Sequence, residues 1–282
     1  MNHHSAWPVV MSVAGYDPSA GAGVAADLKT FAAHNCYGVA AITALTVQNS
    51  QGVASVHPVE LPVLKETILS LLADGRVCAI KVGMLANQAA AEVLDEILTA
   101  HPELPAVLDP VICSSTGVAL LDAAGVDYLR QRLLPRAALV TPNLAEAARL
   151  VEMPVENVES MRAAARKLVE LGARAAVVTG GHLEKPVDVF FDGTNLEQFV
   201  GDRIRPDNTH GTGCTFSAAV AANLALGRQV RDAVVLAKAY VVEAIRNAFP
   251  VGPGRLPLNH LYRMMQPARL SDHSPVVAES TP

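Results

Sequence analysis

The chain has 282 residues, of which 51% are hydrophobic and 17% charged, and its formal net charge is −5. This composition is typical of a compact folded protein and excludes a disordered chain. The negative charge, with no run of lysine or arginine, argues against a large nucleic-acid surface. No apolar run approaches the roughly 20 residues of a membrane span. We therefore expect a protein that binds neither nucleic acid nor membrane.

The first residues and the cysteines both indicate a cytoplasmic protein. MNHHSAWP has no basic segment followed by an apolar one, so it predicts no signal peptide. The four cysteines, Cys36, Cys78, Cys113 and Cys214, are scattered and lack the paired spacing of a structural metal site. In a chain of this length we expect them to be reduced thiols.

Short apolar runs alternate with amphipathic stretches along the chain. The first run spans residues 9–15 and is followed by a helical pattern over residues 23–34. The later runs, each ending in glycine, proline or a polar residue, are AAITALTV, CAIKVGM, AVLDPVI, AALVTPN and AAVVTGG. Amphipathic helical patterns cover residues 63–73, 88–100, 126–134 and 158–171. This alternation predicts βαβ units and an α/β fold, with a mainly parallel sheet covered on both faces.

The last third of the chain departs from this alternation. Residues 187–204 predict a short antiparallel hairpin that turns at residues 192–195. Two further helices are predicted over residues 214–226 and 230–247. From about Pro267 the sequence lacks periodicity. We expect one domain over residues 1–266 and a mobile tail over residues 267–282.

Polar residues cluster where the predicted strands end. These positions are the segments 15–23, 47–52, 83–84, 109–110, 141–143 and 180–182. Each alone has a simple structural explanation, because glycine and proline end strands while Asp and Asn cap helices. In parallel α/β sheets, however, ligands bind beyond the carboxyl ends of the strands. The recurrence at one edge therefore favours a binding site there.

The segment THGTGC, residues 209–214, joins a glycine turn to a predicted helix. Amide groups in such a turn, aided by the helix dipole, can hold a phosphate or a developing oxyanion. No Lys-Ser/Thr pair follows, so the turn is not a P-loop. A helix start also predicts a lowered pKa for the Cys214 thiol. From the residues alone Cys214 is a nucleophile, a metal ligand or a small packed residue, and His210 is a base, a ligand or a hydrogen-bonding residue.

Several motifs in one order carry a family resemblance: AGYDPSAGAGVAADLKTF, ITALTVQNSQGV, KVGML, LDPV, TPNLAEA, GGHL and THGTGCTFSAA. Together, over about residues 9–247, they resemble the hydroxymethylpyrimidine/phosphomethylpyrimidine kinases of thiamine biosynthesis, within the ribokinase-like superfamily. The resemblance implies a three-layer α/β/α sandwich and usually a homodimer. It also implies ATP-dependent phosphorylation of 4-amino-5-hydroxymethyl-2-methylpyrimidine, and then of its monophosphate to the diphosphate.

The resemblance also assigns catalytic roles. It implies that amides of Gly211, Thr212, Gly213 and Cys214 form an anion hole over the transferring phosphoryl group. Cys214 stands where sugar kinases of the superfamily carry an aspartate base, which implies that it takes the proton of the substrate hydroxyl. Asp109 and Glu146, the latter within NLAE, are implied to hold Mg²⁺, an ion that prefers oxygen ligands.

The two substrates are assigned in the same way. For the pyrimidine, the resemblance implies a loop with Gly15, Asp17, Ala22 and Gly23, an amide at Gln48 that hydrogen-bonds the aminopyrimidine edge, and apolar walls from Met84 and Val111. For ATP it implies Asn143, Thr179, Gly181 and Lys238. Without the resemblance, Met84 and Val111 are equally well core residues, Asp17 a turn cap and Lys238 part of a solvated helix face.

Some positions depart from the family pattern. Ala20 replaces a glycine, a mild change if its φ is negative, and Tyr16 replaces a small polar residue at the mouth of the pocket. Thr179 and Ser115 lie where relatives often carry lysine, so the phosphate site loses positive charge. Two other functions stay open: a pyridoxal/pyridoxine kinase, and a catalytically silent pyrimidine-binding protein. The second is disfavoured because binding alone needs no metal site and anion hole together.

Overall fold

A computed structural model describes residues 7–114, 116–181, 183–201, 203–204 and 209–264. Its central sheet has nine strands in the order β3-β2-β1-β4-β5-β6-β7-β8-β9. The strands are β1 Val9–Tyr16, β2 Tyr37–Asn49, β3 Gly52–Pro58, β4 Val77–Val82, β5 Ala106–Leu108, β6 Leu139–Val140, β7 Ala176–Gly180, β8 Val187–Phe191 and β9 Leu196–Val200. The six strands from β2 to β7 pair in parallel. The predicted mainly parallel sheet is therefore confirmed.

Helices cover both faces of this sheet. They are α1 Gly23–Ala33, α2 Leu61–Ala73, α3 Gln88–Ala100, α4 Ala123–Tyr128, α5 Leu144–Val151, α6 Val158–Glu170, α7 Thr212–Ala225 and α8 Val230–Arg246. Successive strand residues point to opposite faces. Val10 packs with α1, α7 and α8, whereas Met11 packs in a second core with α2, α3, α5 and α6. The arrangement is the predicted three-layer α/β/α sandwich.

The predicted hairpin near the end of the sheet is present. β8 and β9 pair antiparallel, and Asp192 accepts hydrogen bonds from the amides of Thr194 and Asn195 in the turn between them. A second hairpin was not predicted. β2 continues to Asn49 and returns antiparallel as β3, so residues 47–52 are not a simple strand-end loop. Gln48 consequently lies on a strand, where its side-chain direction is set by the pleat.

Two smaller differences concern boundaries. The helix predicted over residues 126–134 begins earlier, because the Asp122 side chain accepts a hydrogen bond from the Gly125 amide and caps α4 at its start. The chain continues as a π turn over Leu129–Leu133. Two short strands, β10 Thr209–His210 and β11 Leu256–Pro257, also pair in parallel outside the main sheet.

Some expectations fall on positions outside the described ranges. These are the tail over residues 267–282, His182 at the end of β7, and Ser115. Within the described ranges, no helix combines the length and apolarity needed to cross a membrane.

A buried histidine near the end of the described chain makes folding stability pH-dependent. His260 is 2% exposed, and its Nε2 lies 3.0 Å from the Thr215 hydroxyl oxygen of α7. Burial, with a smaller contribution from the charge of Lys29, lowers the pKa of His260 from 6.5 to about 3. Below pH 6.5 the unfolded chain therefore binds a proton at this residue that the folded protein does not.

We expect the free energy of unfolding to fall between pH 6.5 and pH 5 by about 1.4 kcal/mol per pH unit through His260. His260→Asn, which does not titrate, should lose this part of the slope, whereas His57→Asn, at a strand edge exposed to solvent, should retain it. Urea denaturation of the three proteins across this pH range measures the slopes. Equal slopes for the wild type and His260→Asn would contradict the assignment.

Candidate active site

One cavity of about 580 Å³ lies at the carboxyl ends of the parallel strands. Every residue that the sequence proposed for the site lines it: Gly15, Asp17, Ala22, Gly23, Gln48, Met84, Asp109, Val111, Asn143, Glu146, Thr179, Gly181, Gly211, Thr212, Gly213, Cys214 and Lys238. Because parallel strands all end at one edge, residues up to 223 positions apart in the chain meet in one crevice. Their individual roles are considered below.

Two glycine-containing loops touch at the centre of the cavity. The backbone of Gly211 lies so close to the carbonyl of Gly21 that a Cβ would approach this oxygen to 1.8 Å. Gly23 is similarly close to the carbonyl of Gly15, at 2.2 Å for a Cβ. Both glycines also have positive φ, +85° and +58°. Only glycine satisfies the conformation and the space at these positions, so the loop after β1 and the start of α7 are held against each other.

Asp17 organises the loop after β1. Its carboxylate accepts hydrogen bonds from the amides of Ser19, Gly21 and Ala22 at 2.8, 3.2 and 2.9 Å. Burial alone would raise its pKa, but hydrogen bonds from His210 and Ser19 outweigh it, and the pKa of Asp17 is lowered. Ala20 has φ +57°, so replacing the family glycine here is not the mild change expected for a negative φ.

The start of α7 presents free amide groups to the cavity. Gly211 is the N-cap residue, and no described side chain caps the helix. The following amides, of Thr212, Gly213 and Cys214, are those that an α-helix leaves without partners. A Cβ at Gly213 would meet no atom within 4 Å, so there is open space beside this turn. The geometry suits an anion bound by backbone amides.

The Cys214 thiol does not have the lowered pKa that a helix start predicts. Burial, opposed by the charge of Lys81 and reinforced by Asp109 and Asp27, raises the pKa of Cys214 to about 12. The dipole of α7 acts locally, whereas burial next to two carboxyl groups disfavours the thiolate more strongly. Cys214 is therefore a protonated thiol at neutral pH.

The floor of the cavity contains an ion pair that the sequence interpretation missed. Lys81 and Asp27 are both fully buried, and the Lys81 Nζ lies 2.9 Å from the Asp27 Oδ2. Ser12 donates a hydrogen bond to the same oxygen at 2.6 Å. Burial by itself lowers the pKa of Lys81, but the charge of Asp27 raises it above its usual range, so the ammonium stays charged. A lysine inside the apolar run CAIKVGM was the available signal.

The glycine of the KVG segment makes room for this ion pair. A Cβ at Gly83 would lie 2.8 Å from the Lys81 Nζ and 3.0 Å from the Ala14 Cβ. A larger residue at Gly83 would therefore displace the ammonium. Lys81 reaches the cavity and interacts electrostatically with both Cys214 and Asp109.

Asp109 and Glu146 form a buried acidic pair. Asp109 follows β5 and accepts a hydrogen bond from the Ser217 hydroxyl at 3.0 Å. Burial, together with the charge of Asp109, raises the pKa of Glu146 to about 8. Asn143 and Glu146 also form a capping box at the start of α5, with both hydrogen bonds 3.0 Å long. The NLAE motif thus has a structural role besides the proposed catalytic one.

This acidic pair fits a magnesium ion. Two carboxyl groups forced together in a buried position favour a cation between them. Among the described residues, no three side chains of His, Cys, Asp or Glu come together as a metal site. Mg²⁺ commonly binds one or two carboxylates and keeps water and phosphate oxygens as its other ligands. Asp109 and Glu146 supply that protein share.

The far end of the cavity carries the residues expected to bind ATP. Thr179 adjoins Asn143, with its amide 2.9 Å from the Pro142 carbonyl oxygen. Lys238 on α8 forms an ion pair with Asp188, which shares its positive charge with a protein carboxylate. Further cationic side chains that sequence interpretation did not assign also line the cavity, namely Arg149, Arg203 and Arg255. They supply positive charge that relatives place at the positions of Thr179 and Ser115.

The opposite end holds the residues expected to bind the ring. Gln48 of β2 reaches the cavity, with its Nε2 3.1 Å from the Nε2 of His210. Met84 is 7% exposed and packs with Ala44 and Leu120, and Val111 packs beside them. A Cβ at Gly15 would lie 2.8 Å from the Met84 sulfur, so this glycine permits Met84 to cover the wall. An amide beside an apolar wall suits a flat heterocycle.

A phosphate-sized anion site at a helix start, a buried acidic pair and a ring-sized apolar wall, on a three-layer α/β/α sandwich, define a small-molecule kinase of the ribokinase-like class. Residues 17–259 match the family model described as phosphomethylpyrimidine kinase. The chain belongs to this family. The resemblance noted in the sequence is thereby confirmed.

Curated relatives agree with this membership. A hydroxymethylpyrimidine/phosphomethylpyrimidine kinase of Aquifex aeolicus is 38% identical over 87% of this chain and 97% of its own. A thiamine biosynthesis bifunctional protein, ThiED, of Geobacter sulfurreducens is 43% identical over 89% of this chain. The chain spans about half of that bifunctional protein, 52% of its length.

Solved structures share the fold. An ADP complex of Bacillus subtilis pyridoxal kinase has a TM-score of 0.84 and 36% identity, covering 92% of this chain and 99% of its own. A phosphomethylpyrimidine kinase of Clostridium difficile 630 has a TM-score of 0.76 and 33% identity, covering 84% and 99%. Kinases for two different rings therefore share this scaffold.

The buried pair generates a stability prediction. Lys81→Met leaves an unpaired buried carboxylate, so we expect a loss of about 3–5 kcal/mol in the free energy of unfolding. Adding Asp27→Asn removes that charge, keeps an acceptor for Ser12, and should recover more than half of the loss. Lys65→Met breaks a solvent-exposed ion pair with Glu96 and should change stability by less than about 1 kcal/mol.

Urea denaturation of the single, double and control variants measures these differences. An equal loss in the single and double variants would show that Lys81 contributes through packing rather than through its charge.

Proposed function

We propose that this protein transfers a phosphoryl group from ATP to 4-amino-5-hydroxymethyl-2-methylpyrimidine, and then to its monophosphate. The observation that carries the proposal is the shared cavity, in which Gln48 and the amides of the THGTGC turn face one space. An amide offers both a donor and an acceptor to an aminopyrimidine edge. The family membership of the chain supports the same reaction.

Phosphoryl transfer needs mainly positioning and charge neutralisation. In this proposal, amides of Gly211 to Cys214 bind the transferring group, and Asn143, Thr179, Gly181 and Lys238 contact the nucleotide. Asp109 and Glu146 hold Mg²⁺, which bridges and neutralises phosphate oxygens when bound. The loop with Gly15, Asp17, Ala22 and Gly23 encloses the ring, together with Met84 and Val111.

Cys214 is proposed to receive the proton of the attacking hydroxyl. As a protonated thiol it accepts this proton only if it passes its own to a neighbour. Asp109 is that neighbour, because its carboxyl group interacts with the thiol and burial raises its pKa. The alcohol oxygen bonds to phosphorus, its proton moves to sulfur, and the thiol proton moves to Asp109. No covalent bond to sulfur is formed.

A pyridoxal kinase is the second candidate. It is favoured by the pyridoxal kinase of Bacillus subtilis, whose structure superimposes on this chain with the higher of the two TM-scores reported above. Gln48 and the curated relatives favour the aminopyrimidine. A silent binding protein is disfavoured, since binding alone requires neither the acidic pair nor the free amides of α7.

The assembly and location are also proposals. Leu45 and Val47 of β2 are 49% and 56% exposed and lie on the same face of the strand. Exposed apolar side chains of this kind are common at protein interfaces, which supports a homodimer formed through the β2–β3 hairpin. We further propose that residues 1–266 act as one cytoplasmic kinase domain.

ATP turnover with three acceptors tests the function. We expect turnover with the aminopyrimidine alcohol and with its monophosphate, and a lower kcat/KM with pyridoxal, because pyridoxal lacks the amino group that Gln48 would bind. Coupled steady-state assays with each acceptor provide the comparison. Turnover of pyridoxal without turnover of the pyrimidine would replace the first candidate by the second.

Replacement of Cys214 tests the proton transfer. A serine hydroxyl is less acidic than a thiol and passes its proton to Asp109 less readily, so Cys214→Ser should lower kcat about 100-fold. The KM for ATP should change little, because the α7 amides are retained. Cys78→Ser, at an exposed position of β4, is the matched control and should keep full activity. A normal kcat in Cys214→Ser would remove Cys214 from this role.

A further inference from the structure

His210 lies between two side chains of the ring end of the cavity. Its Nε2 is 3.1 Å from the Nε2 of Gln48 and 3.3 Å from the Oδ2 of Asp17. The residue sits on β10, directly before the anion turn, and β10 is held by its pairing with β11. A Cβ at Gly21 would approach the His210 Cδ2 to 2.8 Å, so the imidazole is packed closely against the loop after β1.

One imidazole nitrogen cannot satisfy both neighbours. The amide nitrogen of Gln48 only donates, so a hydrogen bond from it requires His210 Nε2 to be an acceptor. The carboxylate of Asp17 only accepts, so a hydrogen bond to it requires the same Nε2 to carry a proton. The tautomer of His210 and the orientation of the Gln48 amide are therefore coupled.

The other end of the Gln48 amide faces a hydroxyl group. The Oε1 lies 3.3 Å from the Oγ1 of Thr46, which also donates to the Tyr16 carbonyl oxygen at 2.9 Å. With Nε2 toward His210 and Oε1 toward Thr46, the amide orientation matches the tautomer in which His210 accepts. Asp17 does not need the imidazole in this state, because Ser19, Gly21 and Ala22 already donate to it.

We propose that His210 is a positioning residue that sets the direction of the Gln48 amide and thereby selects a ring with an exocyclic amino group over a hydroxypyridine. While His210 accepts from Gln48 Nε2, the Oε1 remains the acceptor for an amino donor on the ring. A ring that presents an oxygen acceptor instead favours the reversed amide, which places an acceptor against the lone pair of His210. This inference rests on the proposed function and names what determines its substrate.

A double-mutant cycle with two acceptors tests the coupling. His210→Phe keeps a planar ring but offers no nitrogen, so the Gln48 amide is free to reverse. We expect its KM for the aminopyrimidine alcohol to rise about tenfold, with kcat changed less than about threefold. The preference for this alcohol over pyridoxal, as a ratio of kcat/KM values, should fall about tenfold.

In a Gln48→Ala background the same His210→Phe change should alter this preference less than about twofold, because the residue through which His210 acts is gone. His210→Gln supplies an oxygen acceptor and should restore most of the preference, and it also serves if His210→Phe does not fold. His101→Phe, at the end of α3 and outside the cavity, is the matched control and should behave as the wild type.

Equal losses with both acceptors, or the same loss of preference with and without Gln48, would overturn the proposal, since either result assigns His210 a role independent of the amide. Failure of the wild type to phosphorylate the aminopyrimidine would instead count against the proposed function. The two outcomes are therefore distinguishable in one set of assays.

Discussion

The buried ion pair between Lys81 and Asp27 is the constraint on which the site depends. Burying a charge is costly unless it is paired and hydrogen-bonded. Here the pair joins β4 to α1, Ser12 adds a hydrogen bond from β1, and Gly83 leaves the space that the ammonium occupies. These elements cannot shift independently without exposing or separating the charges, so the cavity floor is held rigidly.

The same ammonium also balances the charges above it. Asp109 and Glu146 are buried together, and Cys214 lies against them. Without a positive charge beneath them, these carboxyl groups would repel each other and raise each other's pKa further. A floor with one buried cation and several acidic groups accommodates an additional cation and an anionic substrate above it. The electrostatics of the floor and the chemistry proposed for the site are thus consistent.

The contact of the two glycine-containing loops explains why ring and phosphate sites lie side by side. Gly211 and Gly23 allow the backbone of α7 and of the loop after β1 to approach closely. The turn that binds an anion is therefore adjacent to the loop expected to enclose a ring. His210 directly precedes this turn, so one short segment contacts both ends of the substrate. A substitution that separates the loops would affect phosphate binding and ring recognition together.

The sequence by itself determined the alternation of strands and helices, the parallel sheet, the hairpin after β7 and the family, because apolar periodicity and motif order are local properties of the chain. It also indicated residues that line one cavity, since parallel strands all end at the same edge. It did not predict the β2–β3 hairpin, the positive φ of Ala20 or the charge state of Cys214. Only the tertiary structure decided these, as well as the pairing of Lys81 with Asp27, because burial and contacts between distant segments set pKa values and loop conformations that no local pattern contains.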